Sequence, residues 1–376
     1  MSGPIAVVGA SGFVGNRLVE TLHLAGEPVV PIVRRIAALA LSARFRLDGR
    51  IADGLDTEAL ARAFEGCDTV VHALAGDPAT ITGAIEPAYR AATAAGVRRL
   101  VYLSSASVHG QSPAPGTTEA SALSDRQPLA YNNAKVQAER RLLELRAAGP
   151  VEVVILRPGI VHGPRSFWSG GFATAVTEGR AALVEGGRGI CNAVYVDNLV
   201  QAIRLAIAAP AAGVDREAFI VGDAETITWA DLCGPIAAAL GTSVEALAVP
   251  QPTGADRQAA RRADLMRLGL KLGLSPFPAR VRRAVRTGLD AYRGKTAVTT
   301  VGPEVTDELV ALHTCRVRLP FDKATARLGY HPPVPFAEAM RRTLAWLDFA
   351  GYSLTPDAQP GTAFPGLPDR PEDTER

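Results

Sequence analysis

The sequence predicts an α/β protein, a doubly wound parallel sheet followed by a smaller C-terminal lobe. Three observations point there. Short β-branched runs alternate with longer amphipathic stretches through the first 160 residues, the pattern of successive βαβ units. A glycine-rich turn, Gly9-Ala10-Ser11-Gly12-Phe13-Val14-Gly15, joins the first strand to the first helix. At 376 residues the chain exceeds one average domain, so an appended lobe is expected.

In chain order, strands are predicted at Ile5–Val8, Val29–Val33, Arg46–Ala52, Thr69–Leu74, Leu100–Ser104 and Val151–Leu156. Helices are predicted at Phe13–Ala25, Thr57–Phe64, Ile81–Ala95 and Leu129–Ala148. The Thr69–Leu74 run is almost continuously apolar, as a strand covered on both faces is. Beyond residue 160 the pattern becomes irregular and richer in Gly and Pro, with strand and helix material at Asn192–Ala208, Ala218–Val221 and Thr228–Leu240. Residues 256–295 carry eleven Lys/Arg against three Asp, with Arg280, Arg282, Arg283 and Arg286 at near-helical spacing. That stretch reads as a solvated helix face, or else as an anion-binding or membrane-surface patch. Residues 355–376 hold five prolines and no periodicity, a solvated tail.

Composition excludes several classes. An apolar fraction of 47% supports a large core. A net charge of +2 and an aromatic content of 6% give no reason to expect a nucleic-acid partner. Four cysteines, Cys67, Cys191, Cys233 and Cys315, lie far apart without a CxxC. No disulfide framework or metal site is expected, and the natural setting is reducing and cytoplasmic. The N-terminus runs straight into the first strand, so a signal peptide is not expected. The most apolar window, Ala202 to Val214, is short and interrupted by Arg204 and Pro210, too little for a membrane span.

The glycine turn predicts dinucleotide binding on a Rossmann-type sheet. Its glycines allow a tight turn and close approach to a pyrophosphate, and the helix start offers unpaired N–H groups to it. An ordinary βα turn is the alternative. Ribose specificity is set at the end of the second strand, where an acid holds a free 2′-OH and arginine suits a 2′-phosphate. Here that strand ends Ile32-Val33-Arg34-Arg35. NADP(H) is therefore favoured, with NAD(H) possible. Asp53 is a candidate acceptor for the adenine amino group, or simply a helix-start carboxylate.

Tyr131 and Lys135 stand one helical turn apart on one face. An adjacent ammonium is expected to draw a phenol's pKa below about 10 and equip it for proton transfer. The fifth strand ends in Ser104-Ser105, at the sheet edge where ligands bind, so a serine there is placed to hydrogen-bond the same substrate oxygen.

With these pieces in this order, the chain resembles the extended short-chain dehydrogenase/reductase family, the NAD(P)-dependent epimerase/dehydratase group. The matching segments are GASGFVG at 9–15, DTVVHALAG at 68–76, YLSSASVHG at 102–110, YNNAK at 131–135, LRPGIVHGPR at 156–165, NAVYVDNLVQAI at 192–203 and KATARLGYHPPV at 323–334. The resemblance implies that Gly9, Gly12 and Gly15, with Ser11, Phe13 and Val14, border the diphosphate. It implies that Ala73, Leu74, Ala75, Pro158 and Gly159 flank the cofactor and that Lys135 contacts the nicotinamide ribose. It makes Tyr131 the acid/base and Ser105 the substrate-oxygen donor. Sugar dehydratases of the family carry an Asp-Glu pair after that hydroxyl residue; Ala106-Ser107 stands here, so dehydration is not expected.

Substrate-side candidates are Ser107, Arg165, Arg188 and Asn192, with Phe167 and Trp168 shaping the pocket. His72, His109 and His162 read as packing residues, and Asp197 and Asn198 as a helix start or a catalytic pair. The domain expectation is a mainly dinucleotide-binding region at 1–165, with returning segments near 190–225, and a mainly substrate-binding lobe at 166–354. The expected activity interconverts a secondary alcohol and a ketone on a small molecule, foremost a nucleotide-activated or derivatised sugar. A nucleotide-sugar epimerase retaining NAD, a steroid- or polyketide-type alcohol dehydrogenase and a non-catalytic dinucleotide sensor are the alternatives. The family commonly forms dimers through helices beside the tyrosine, which implies a homodimer.

Overall fold

The computed structural model describes residues 3–252 and 305–356. Seven strands form one parallel sheet: β1 (Ile5–Val8), β2 (Val29–Val33), β3 (Arg50–Ile51), β4 (Thr69–His72), β5 (Arg99–Leu103), β6 (Glu152–Pro158) and β7 (Glu217–Val221). Their order is β7-β6-β5-β4-β1-β2-β3. The order reverses at β1, and the C-terminal ends of β1 and β4 flank the crevice where open α/β sheets bind ligands.

Period-two alternation builds both faces. Along β1, Ile5 and Val7 join the core of α1 (Phe13–Leu24) and α6 (Val196–Ala208), whereas Ala6 and Val8 join that of α2 (Thr57–Phe64), α4 (Ile85–Ala94) and α5 (Ala130–Ala148). All four β1 residues are buried, as a doubly covered strand requires. A third apolar cluster lies in the lobe, where α7 (Trp229–Ala239), α8 (Asp307–His313) and α9 (Phe336–Phe349) contribute Leu232, Ile236, Leu312, Met340 and Leu347. Among the described residues no helix is long and apolar enough to cross a membrane. The basic stretch 256–295 and residues 357–376 of the expected tail lie outside the described residues.

Two elements differ from the sequence expectation. The third strand spans two residues, not Arg46–Ala52, because β3 is the sheet's edge and pairs only through Ile32–Arg50 and Val33–Ile51. The helix expected at Ile81–Ala95 is two, α3 (Pro78–Gly83) and α4, meeting at Ala84. Asp77 starts α3 by accepting from Thr80 N at 2.7 Å, with Pro78 in the first turn, a strong start signal. Arg99 is fully buried in β5, where Nη1 donates to the carbonyls of Ala206, Ile207 and Ala209 at 2.7, 3.0 and 2.7 Å. It thereby satisfies carbonyls at the end of α6 that the helix leaves unpaired.

The glycine turn is sterically closed. Gly9 has φ of +84° and its Cα faces the Ala73 carbonyl, 2.7 Å from where a Cβ would sit. A Cβ on Gly15 would stand 2.2 Å from the Gly9 carbonyl oxygen. The Gly15→Ala variant must therefore push α1 off the strand end. It is expected to lose dinucleotide affinity by at least tenfold and to melt several degrees lower, read by cofactor titration and thermal unfolding.

Candidate active site

A cavity of about 720 Å³ runs along the C-terminal edge of the sheet. Gly9, Ser11, Gly12, Phe13 and Val14 line one part of it, with Arg34 beyond them at the end of β2. Ala73, Leu74, Ala75, Pro158 and Gly159 form its middle, and Ser105, Ser107, Tyr131 and Lys135 its far part. Gly15 lies behind the turn, buried in the helix–strand contact. Asp53 is absent from the lining; its carboxylate accepts from Leu55 N at 3.0 Å and shapes the turn before α2.

Tyr131 sits in the first turn of α5, and the preceding loop is clamped to that turn. Asn133 accepts from Gln127 N at 2.7 Å and returns a bond to Gln127 O at 2.9 Å, while Asn132 Nδ2 donates to Gln127 Oε1 at 2.9 Å. Tyr131 remains 40% exposed and lines the cavity. One turn on, Lys135 is buried, and its ammonium donates to Leu103 O at 2.7 Å and to Tyr102 Oη at 3.4 Å. It stands 5.9 Å from the centre of the Tyr131 ring. Burial pushes the Lys135 pKa down to about 8, against a smaller upward pull from Glu139.

The phenol differs from the sequence expectation. Its pKa is raised above 10, first by burial; a hydrogen bond with Ser105 lowers it and the charge of Glu308 raises it. Lys135 does not bring it down, because the ammonium is turned toward the β5 carbonyl edge. Ser105 itself opens a short turn, its hydroxyl accepting from Ser107 N at 3.1 Å. The Ser107 hydroxyl is buried and has no hydrogen-bond partner among the described residues, which leaves a polar group available at this end of the cavity.

The other substrate-side candidates are placed differently. Arg165 adopts a left-handed backbone and donates to Asn16 Oδ1 at 2.6 Å, beneath α1. Arg188 is exposed on the lobe, outside this cavity. Asn192 uses its whole amide to hold the 317–319 segment, donating to Val317 O at 3.0 Å and accepting from Leu319 N at 2.8 Å. Asp197 pairs with Arg17 and Arg342, and Asn198 bridges Asp223 and the Val334 backbone. His162 faces Asp223 at 3.2 Å in the same buried hub. His72 and His109 are held neutral by burial, each near a pKa of about 4.

Two acids were not among the sequence candidates. Glu139 continues the stripe begun by Tyr131 and Lys135, one further turn along α5. It receives a short bond from Ser104 Oγ and two from Arg157, at 3.0 and 2.6 Å. The i+8 spacing was the available signal. Glu308 enters the cavity from α8 and accepts from Gln111 Nε2 at 2.6 Å. Only the fold brings it there, from more than 170 positions along the chain, so no local pattern marks it.

The residues present fit a dinucleotide. Gly9 and Gly15 leave no room for a Cβ, α1 follows Gly12 without a side-chain cap or an acid in its first turn, and the cavity matches the ligand's size. The family model for the NAD dependent epimerase/dehydratase family matches residues 5–222. The chain belongs to that family. It is accordingly a nicotinamide-dependent enzyme of the extended short-chain dehydrogenase/reductase group. A 3-diazoavenalumate denitrifying reductase from a Streptomyces species is 31% identical over 56% of this chain and 73% of its own. A 3 beta-hydroxysteroid dehydrogenase/Delta 5-->4-isomerase of Mycobacterium tuberculosis is 30% identical over 64% and 70%. In fold, the dTDP-glucose 4,6-dehydratase DesIV of Streptomyces venezuelae, solved with NAD bound, aligns with a TM-score of 0.66 at 22% identity over 92% of this chain and 96% of that one.

Proposed function

We propose that this family member interconverts a secondary alcohol and a ketone, with Ser105, Tyr131 and Lys135 as its proton-handling set and NADP(H) as its preferred cofactor. Residues 1–165 then carry most of the cofactor contacts and 166–354 most of the substrate contacts. The observation that supports this most is the shared cavity: the three side chains line the same space as the glycine turn. A nicotinamide held in this cavity would supply the hydride exchange at the substrate carbon. Tyr131 Oη delivers the matching proton to the carbonyl oxygen in reduction and takes it back in oxidation. Ser105 Oγ donates to the same oxygen and fixes its direction. Lys135 would hold the nicotinamide ribose of the bound cofactor through its ammonium, which stands 5.9 Å from the centre of the Tyr131 ring.

A reductase consumes one NADPH per ketone reduced, seen as loss of nicotinamide absorbance in step with alcohol formed. Turnover of a sugar with no change in absorbance would instead establish an epimerase and overturn the oxidoreductase reading.

The cofactor preference is supported at the end of β2. Arg34 lines the cavity and has no carboxylate partner among the described residues, and no acid occupies that strand end. A charge-assisted pair with a 2′-phosphate is worth roughly 1.5–3 kcal/mol. The Arg34→Ala variant is therefore expected to bind NADPH about 10- to 100-fold more weakly while its NADH affinity stays within about twofold. Equal weakening of both in equilibrium titrations would remove the NADP preference.

A further inference from the structure

A second cavity, of about 320 Å³, adjoins the first in the lobe, and Phe167, Trp168 and Glu308 line both. Its walls are apolar: Phe172, Ala182, Leu183, Trp229, Leu309 and Leu312 among them. Aromatic rings run inward from the junction in unbroken contact. Phe167 meets Trp168 edge-on at 5.6 Å, Trp168 meets Trp229 at 5.2 Å, and Trp229 meets His313 at 5.0 Å. Phe167, at the junction, is 76% exposed, an aromatic face left in water where the two cavities join.

The charges in this second cavity do not suit an anion. Arg180 is engaged by Glu178. His313 is buried and neutral, its Nδ1 accepting from Val184 N at 3.0 Å. Glu308 places a carboxylate at the entrance. Nearby, Arg318 donates to the Asp223 and Ala224 carbonyls, Arg165 donates to Asn16, and Arg188 is exposed and lines neither cavity. Among the described residues no unpaired cation lines the second cavity, and the Glu308 carboxylate at its entrance would repel an anion.

We infer that the second cavity seats the body of an uncharged, apolar ring-bearing ketone or alcohol, whose oxygen-bearing carbon reaches Ser105 and Tyr131 past Phe167. This rests on the proposed alcohol–ketone chemistry for its reacting end, but its binding end stands on the cavity alone. Covering Phe167 and filling an aromatic-lined space supplies apolar burial, and Glu308 adds an acceptor for a hydroxyl near the reacting carbon.

The probes are 2-tetralone and UDP-glucose, titrated into the full-length protein with NADP+ present, which cannot reduce the ketone. Trp168 and Trp229 line the cavity, so binding is read by tryptophan fluorescence and, independently, by equilibrium dialysis. Saturable binding of 2-tetralone, weakened at least tenfold by Phe167→Ser, is the expected result. Because Phe167 is exposed, that substitution leaves the core intact, and a thermal melt checks it. The Tyr131→Phe variant, which loses one hydrogen bond to the carbonyl, should still bind 2-tetralone within about tenfold of the parent. Tight UDP-glucose binding without 2-tetralone binding overturns the inference and leaves the Ser-Tyr-Lys reading standing. Binding of 2-tetralone that is indifferent to Phe167→Ser also overturns it. Phe167-dependent binding with no reduction by NADPH at any pH supports the apolar site and removes the catalytic reading instead.

Discussion

Replacing Tyr131 with Phe is expected to lower kcat by about 10²- to 10⁴-fold, the usual loss when a positioned acid/base is removed, while NADPH binding stays within about twofold. The ring is preserved, so α5 keeps its packing, and only the phenolic oxygen that meets Ser105 is lost. The pH profile carries the same argument. The phenol's pKa lies above 10, so the proton donor for reduction is present across the neutral range. Lys135 titrates near 8; its ammonium is charged below that value and neutral above it. Losing that charge weakens the hold on the cofactor's ribose, so reduction should be level between about pH 6 and 7.5 and decline above pH 8, with the decline belonging to Lys135. A Tyr131→Phe enzyme within tenfold of the parent would assign proton transfer to another group. Glu308, whose carboxylate acts on the same phenol, would then be the first to test.

The sheet was legible because its strands obey simple rules: β1 and β2 are apolar, β4 carries Val70 and Val71 between Thr69 and His72, and all three are fully buried and separated by helices with clear periodicity. The glycine turn and the Tyr131–Lys135 pair were legible because each depends on spacing within a single turn or helix. Where expectation and structure part, the deciding physics is long-range. The orientation of Lys135 follows from the Leu103 carbonyl, which belongs to a strand more than 30 positions earlier. The amide of Asn192 is consumed by residues 317–319, far along the chain. Arg165 is drawn under α1 by Asn16. A side chain's type announces that it will bond, and only the tertiary arrangement decides to what. The aromatic run Phe167–Trp168–Trp229–His313 is the same lesson in apolar form, since three separate stretches supply it.

The Glu139→Leu variant is expected to lose about 3–5 kcal/mol of stability, the usual cost of leaving one member of a buried ion pair uncompensated. The Glu139 and Arg157 side chains are 2% and 6% exposed, and Arg157 grips the carboxylate through two nitrogens. Three elements meet at this pair: α5 through Glu139, the end of β5 through Ser104, and β6 through Arg157. Removing the carboxylate strands a guanidinium whose remaining contacts are the Glu119 carbonyl and His109, the latter already neutral and unable to balance charge. Replacing both partners, Glu139→Leu with Arg157→Met, removes the unpaired charge and should recover more than half of the loss in a urea-unfolding cycle. If the double variant is as unstable as Glu139→Leu alone, the loss comes from packing and not from the stranded charge. The same variant reports on catalysis, because Glu139 is the group that holds the Lys135 pKa up against burial. Without it, Lys135 loses its proton at lower pH, so the decline in reduction rate should begin below pH 8. A stability loss with that decline unmoved would confine Glu139 to joining the three elements and leave the charge of Lys135 to its own surroundings.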